Sequence, residues 1–195
     1  SKSGNTLETV SNFSLLKKKK DNIFITEKKN NYLYKLARKL KSEIVEHKNY
    51  IGGRYSVLSE VGMLPAELMG LNVIKFKQFN NLIKNNNFLL NLIQNVNSTL
   101  KFVKQGKFNS IILNYDEKSE NLFKWYQQLI AESLGKKSKG IMPIISTMPK
   151  DNHSVLQLYL DGPKKNFFTF YDVLEKNTKK INQSFIFKPF VYLKS

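Results

Sequence analysis

Short apolar segments alternate with amphipathic helical patterns along this sequence, and that alternation restricts its possible folds more than any other feature. Residues 22–26 form an apolar run of strand character. Residues 31–40 then place Tyr32, Leu33, Leu36, Ala37 and Leu40 at helical spacing, and residues 43–47 return to strand character. Further on, residues 110–115 predict a buried strand and residues 121–133 an amphipathic helix with Leu122, Trp125 and Leu129 facing a core. Residues 141–146 read as a strand, a helix opens near His153, and residues 167–171 and 182–193 again have strand character. Strands alternating with helices form a parallel sheet with helices packed on it, so the expected class is α/β. Between the strand-bearing regions, residues 63–106 predict two or three short helices broken by Asn-rich stretches, with Pro65 near the start of the first.

Composition narrows the function. At 195 residues the chain is long enough for a real core, as one domain or parts of two. The absence of cysteine excludes disulfides and thiolate metal sites, and His47 and His153 lie too far apart in sequence to suggest a metal site. No apolar run reaches transmembrane length and no signal peptide is recognisable, so a soluble cytoplasmic protein without a membrane partner is expected. The formal net charge of +17 would ordinarily suggest nucleic acid. Here the excess is lysine accompanied by asparagine and isoleucine, which share A/T-rich codons, and no aromatic-basic motif of the RNP kind is present. Nucleic acid is therefore the weakest of the candidate partners.

Four stretches carry chemistry. Ser1-Lys2-Ser3-Gly4-Asn5-Thr6 offers hydroxyls and a cation just before a helix with Glu8 in its first turn, a suitable cradle for phosphate or an ordinary helix cap. It is not a Walker A loop. In Ile51-Gly52-Gly53-Arg54 two adjacent glycines permit positive φ and close approach of a ligand, and Arg54 can hold an oxyanion; a surface turn is the equal alternative. His47, just upstream, reads as structural or exposed, with no assigned role. Glu132 ends a helix with Gln128 four residues earlier on the same face. Partial burial there would raise its pKa toward neutrality, as a general base requires, whereas a surface glutamate is the plainer reading. His153 sits at a strand-to-helix turn, a favoured site position in α/β proteins, although a lone histidine is more often structural.

These stretches resemble, in order, the signatures of the phosphoglucose isomerase family. SKSGNTLET at residues 1–9 is similar to SKSGTTLET, GGRYSVLS at 52–59 matches as it stands, WYQQLIAESLGK at 125–136 resembles WYQQLxAESLGK, and DNHSVLQLYLDGP at 151–163 resembles DQHSLLQLYLDGP. Asn5, Asn152 and the Met148-Pro149-Lys150 turn depart from the pattern. The resemblance implies two sugar-isomerase (SIS) type three-layer αβα units with parallel sheets, both partly represented: residues 1–65 from the first and 66–195 from the second. It implies the central portion of an aldose–ketose isomerase that interconverts glucose 6-phosphate and fructose 6-phosphate through a cis-enediol. The N-terminal sugar-contacting loop, the strand feeding Ser1 and a C-terminal ring-opening lysine would lie outside this sequence.

By the same resemblance Glu132 is the base that moves a proton between C1 and C2, and Arg54 stabilises the enediolate. His153, coupled to Glu8, opens the sugar ring and reaches into the neighbouring subunit of a homodimer. Ser1, Lys2, Ser3 and Thr6 hold the phosphate, and Gly53 and Gln128 line the site. No metal or organic cofactor is expected, since one base and one cation suffice for this proton transfer. A positive field would help collect such an anionic substrate. The alternative is a non-catalytic SIS module that binds sugar phosphates for regulation. Such a module would keep the opening loop but has no reason to keep Arg54, Glu132 and His153 together.

Overall fold

Asn31 anchors the first half of the chain. In the computed structural model, which describes residues 1–15 and 21–174, the first elements are α1 (Leu7–Leu15), β1 (Ile23–Thr26), α2 (Tyr32–Lys39) and β2 (Glu43–Glu46). β1 and β2 pair in parallel, Ile23 against Glu43 through Thr26 against Glu46, and a parallel pair needs a crossover, which α2 supplies. The Asn31 side chain caps α2 by accepting from the Tyr34 amide at 2.8 Å and donates to the Glu27 carbonyl at 3.0 Å. Leu33 and Ala37, four residues apart, bury against Phe24 of β1, and Val10 and Phe13 of α1 close the same cluster. Gly4 packs so tightly on Asn31 that a Cβ built there would fall 2.0 Å from Asn31 Oδ1, and its φ of +68° also favours glycine.

A 3₁₀ turn (Gly53–Leu58) leads into α3 (Glu60–Leu68), α4 (Val73–Lys77), a second 3₁₀ stretch (Gln78–Lys84) and α5 (Asn86–Lys104). Two details differ from expectation. α3 begins at Glu60, because Ser59 caps it through the Val61 amide, and this leaves Pro65 in the helix interior. α5 runs unbroken for 19 residues. Asn85 caps it, and Asn91, Asn95 and Asn97 are exposed, where asparagine costs a helix only some tenths of a kcal/mol each.

The second sheet has β3 (Asn109–Asn114) between β4 (Met142–Thr147) and β5 (Asn166–Tyr171), all parallel. Its crossovers are α6 (Glu120–Leu134) and α7 (Asn152–Asp161). The chain steps from β3 to one side and then crosses back to the other, so two right-handed crossovers place α6 and α7 on opposite faces. Ring contacts agree. Phe123 of α6 meets Tyr171 at 4.8 Å and Phe102 of α5 stacks on Phe167 at 5.2 Å, whereas Tyr159 of α7 meets Phe168 at 5.5 Å. Phe167 and Tyr171 point to one face of β5 and Phe168 to the other. The result is a helix–sheet–helix layering, with Ile111, Leu113 and Met148 buried together beneath Tyr159. The fold class is α/β with parallel sheets, as the alternation predicts. The strand expected at residues 182–193 lies outside the described residues. Among the described residues no helix is long and apolar enough to cross a membrane.

Candidate active site

α6 presents Trp125, Gln128 and Glu132 along one face, and the 3₁₀ turn docks on that face. Trp125 Nε1 donates to the Arg54 carbonyl at 2.8 Å, and the Tyr55 hydroxyl lies 3.3 Å from Ser133 Oγ. Held in this way, Arg54 Nη1 donates to Glu132 Oε2 at 3.2 Å, and Gln128 Nε2 donates to Glu132 Oε1 at 2.9 Å. The Arg54 guanidinium also lies 5.1 Å from the centre of the Tyr55 ring. Arg54 Nε is buried without a hydrogen-bond partner among the described residues.

Two expectations for this region are corrected. Gly52 has φ −65° and ψ 147°, and Gly53 is not among the residues with positive φ, so the turn needs no left-handed glycine. A Cβ on Gly53 would meet nothing within 4 Å, so its outer side is open to an approaching group. The second correction concerns Glu132, whose side chain is 47% exposed and whose pKa is lowered, not raised. The Gln128 amide, then the Arg54 cation, favours its charged form more than its slight burial opposes it. Arg54 is held more firmly protonated, first by the Tyr55 hydroxyl and then by Glu132.

The opening loop is tied to the same turn. Lys2 Nζ donates to the carbonyls of Asn49 at 2.8 Å and Ile51 at 2.7 Å, the latter one residue before Gly52. Ser1 Oγ and Thr6 Oγ1 are 2.6 Å apart, and Ser3 Oγ accepts from the Asn5 amide at 3.3 Å. Glu27, in the loop after β1, lies 3.7 Å from Lys2; its carboxyl is held below the usual range first by Lys29 and further by Lys2. The loop is thus bonded to the residue before the Gly52-Gly53-Arg54 turn, and Arg54 on that turn to Glu132, which Gln128 also holds.

Among the described residues no side-chain bond ties Glu8 or His153 to Arg54 or Glu132. Glu8 is exposed in the first turn of α1, and His153 is exposed in the first turn of α7. Topology accounts for His153. α6 runs antiparallel to the strands, so Glu132 near its end lies toward the start of β4, as the Gln127 bond to the Pro143 carbonyl also shows. His153 follows the end of β4, and at about 3.3 Å per residue a strand of this length sets the two roughly 20 Å apart.

Reading the sequence alone missed the contributions of Tyr55, Ser133 and Trp125 to the site, and the pairing of His47 with Glu60. Helical periodicity assigns Trp125 to the core, although its spacing from Gln128 and Glu132 already places it on their face. His47 is buried, with Nδ1 2.5 Å from Glu60 Oε1. Among the described residues no group of three His, Asp or Glu side chains is arranged to hold a metal ion.

Comparison with known proteins bears on this arrangement. A model of the family described as phosphoglucose isomerase matches residues 37–188. The chain belongs to the phosphoglucose isomerase family. It is 39% identical over 189 residues to a glucose-6-phosphate isomerase of Methanocaldococcus jannaschii, an alignment covering 87% of this chain and 45% of that protein. It is 31% identical over 202 residues to one of Campylobacter jejuni, covering 96% and 50%. The chain thus spans about half the length of these phosphoglucose isomerase relatives. A crystal structure of a hypothetical protein from Thermus thermophilus superposes with a TM-score of 0.73 at 24% identity, over 100% of this chain and 53% of the other, and shows the same fold.

Proposed function

We propose that the protein carrying this chain interconverts glucose 6-phosphate and fructose 6-phosphate, serving glycolysis and gluconeogenesis in the cytoplasm. The observation that carries this reading is the ionised Glu132 held 3.2 Å from the Arg54 guanidinium, on a turn tethered by Lys2 to a hydroxyl-rich loop. Ser1, Ser3, Thr6 and the loop amides take the substrate phosphate. Lys2 has three N–H donors, of which two bind the carbonyls of Asn49 and Ile51; the third is shared between the Glu27 carboxylate, 3.7 Å away, and the incoming anion. With the phosphate anchored, the sugar carbonyl end extends across Gly53 to Glu132, and anchoring converts proton abstraction into an intramolecular event.

Glu132 removes the proton from C2 of the open-chain aldose, and the electron pair moves into a C1–C2 double bond as the carbonyl oxygen gains negative charge. Arg54 faces that oxygen, and its guanidinium has N–H donors besides the one that Nη1 gives to Glu132. Glu132 then returns the proton to C1 while the hydroxyl proton on O2 passes to O1, so the C2 carbonyl forms and the ketose is complete. Gln128 holds Glu132 in place through the cycle. We infer that His153 serves the site of a second copy in a homodimer, because its own Glu132 lies toward the opposite end of β4. There it moves the ring-opening proton, with Glu8 beside it. We read residues 1–65 and 66–195 as parts of two successive SIS-type units.

The experiment is Glu132→Gln in the full-length protein, with turnover followed by a coupled assay and sugar-phosphate affinity by calorimetry. Turnover should fall by at least about a thousandfold, the scale of a lost general base, while affinity stays within about threefold. Wild-type turnover in that variant would remove Glu132 as the base.

A further inference from the structure

His47 has no part in the proposed chemistry, yet its side chain is 0% exposed and both ring nitrogens are engaged. Its backbone amide extends the β1–β2 ladder by donating to the Thr26 carbonyl at 3.0 Å, so the ring is rooted in the sheet. Nε2 lies 3.3 Å from the Ile51 carbonyl, and Nδ1 lies 2.5 Å from Glu60 Oε1. A carbonyl only accepts, so the bond to Ile51 is donated by Nε2, while Nδ1 and the Glu60 carboxyl meet at hydrogen-bond distance. Glu60 is in the first turn of α3, where its carboxylate also accepts from its own amide and that of Lys48.

These two bonds bracket the catalytic turn. Ile51 immediately precedes Gly52-Gly53-Arg54, and Glu60 immediately follows Ser59, which ends the 3₁₀ segment. The Ile51 carbonyl is also an acceptor for Lys2. One buried ring therefore ties both ends of residues 52–59 to the first sheet, at the atom that links the turn to the phosphate loop. Trp125 and Glu132 of α6 then meet a turn whose ends cannot drift. Other charged groups near the ring include Glu27, Lys29, Glu46 and Lys48, which line the same cavity, and Lys2 on the opening loop.

We propose that His47, clamped to Glu60, is a positioning residue that sets Arg54 against Glu132. The assignment rests on the isomerase reading for its kinetic consequence, but the clamp itself is testable without it. The experiment compares the full-length wild type with His47→Leu and Glu60→Gln, measuring kcat and KM for fructose 6-phosphate together with amide hydrogen exchange. The amides of Tyr55 and Ser59 report on the turn, since they bond the carbonyls of Gly52 at 2.9 Å and Ser56 at 3.0 Å.

In His47→Leu, kcat should fall about tenfold or more, as expected for a displaced catalytic group, with KM within about threefold. Exchange at Tyr55 and Ser59 should quicken while the β3 amides keep their protection. Glu60→Gln retains an amide that can bond the ring, so it should preserve most of kcat and the slow exchange. The proposal is overturned if His47→Leu keeps wild-type kcat, or if its loss follows a general loosening in which β3 exchanges as fast as the turn. Should His47→Leu not fold, His47→Gln carries the same two readouts. A wild type without isomerase activity would refute the functional reading alone; unchanged exchange at Tyr55 and Ser59 would refute the clamp alone.

Discussion

Glu132 takes one hydrogen bond from a neutral amide and one from a cation, and the two partners do different things. Gln128, which contributes most to its lowered pKa, keeps the carboxylate ionised without competing for substrate. Arg54 also favours the charged form and, in the proposed mechanism, faces the oxygen where charge develops. A carboxyl whose folded pKa is depressed gains stability from its partners above the ordinary glutamate range, and loses it as pH falls through the folded value. Water screens this exposed pair, so the effect is read better in rate than in stability. Gln128→Leu should therefore move the acid limb of kcat/KM upward in pH, toward an ordinary glutamate, as a pH–rate profile would show. An unchanged limb would mean that Gln128 does not govern Glu132.

At the scale of the element, the opening loop keeps its shape through a close backbone approach. Gly4 has positive φ and no room for a Cβ beside Asn31, while its carbonyl accepts from the Leu33 amide at 3.0 Å. Gly4→Ala should cost at least about 2 kcal/mol through strain and displacement of the Asn31 cap. It should also weaken binding of inorganic phosphate, because the loop hydroxyls shift with the backbone. Chemical denaturation and phosphate calorimetry on the same variant measure the two effects. The glycine pair at 52–53 attracts the eye in the sequence, yet Gly4 is where conformation and packing both require glycine. The difference is tertiary: Asn31 lies across from Gly4, and nothing among the described residues lies across from Gly53.

For the whole molecule, the separation of Glu132 and His153 across one sheet makes a distinctive prediction for the proposed homodimer. Each site would combine Glu132 from one copy with His153 from the other. Glu132→Gln and His153→Ala dimers should each be inactive. Mixed by denaturation and refolding, they should regain about a quarter of wild-type activity, since half the dimers are hybrids and each hybrid has one intact site. If mixing restores nothing, His153 acts within its own chain or not at all.

The fold class was legible in the sequence because it depends on local periodicity. Apolar runs at 22–26 and 110–115, each with a neighbouring helical face, leave parallel pairing as the way to bury them. The motifs around Arg54, Gln128 and Glu132 were legible for a similar reason, since short strings of chemically distinct residues survive without their surroundings. What lay beyond the sequence depended on partners far along the chain. The depressed pKa of Glu132 comes partly from Arg54, 78 residues away, and the role of Trp125 from a carbonyl 71 residues away. His47 and Glu60 lie closer, but whether a histidine is solvated or buried against a carboxylate is decided by packing. Periodicity determines which faces are apolar; only the tertiary structure brings two distant faces together and so decides which polar groups meet.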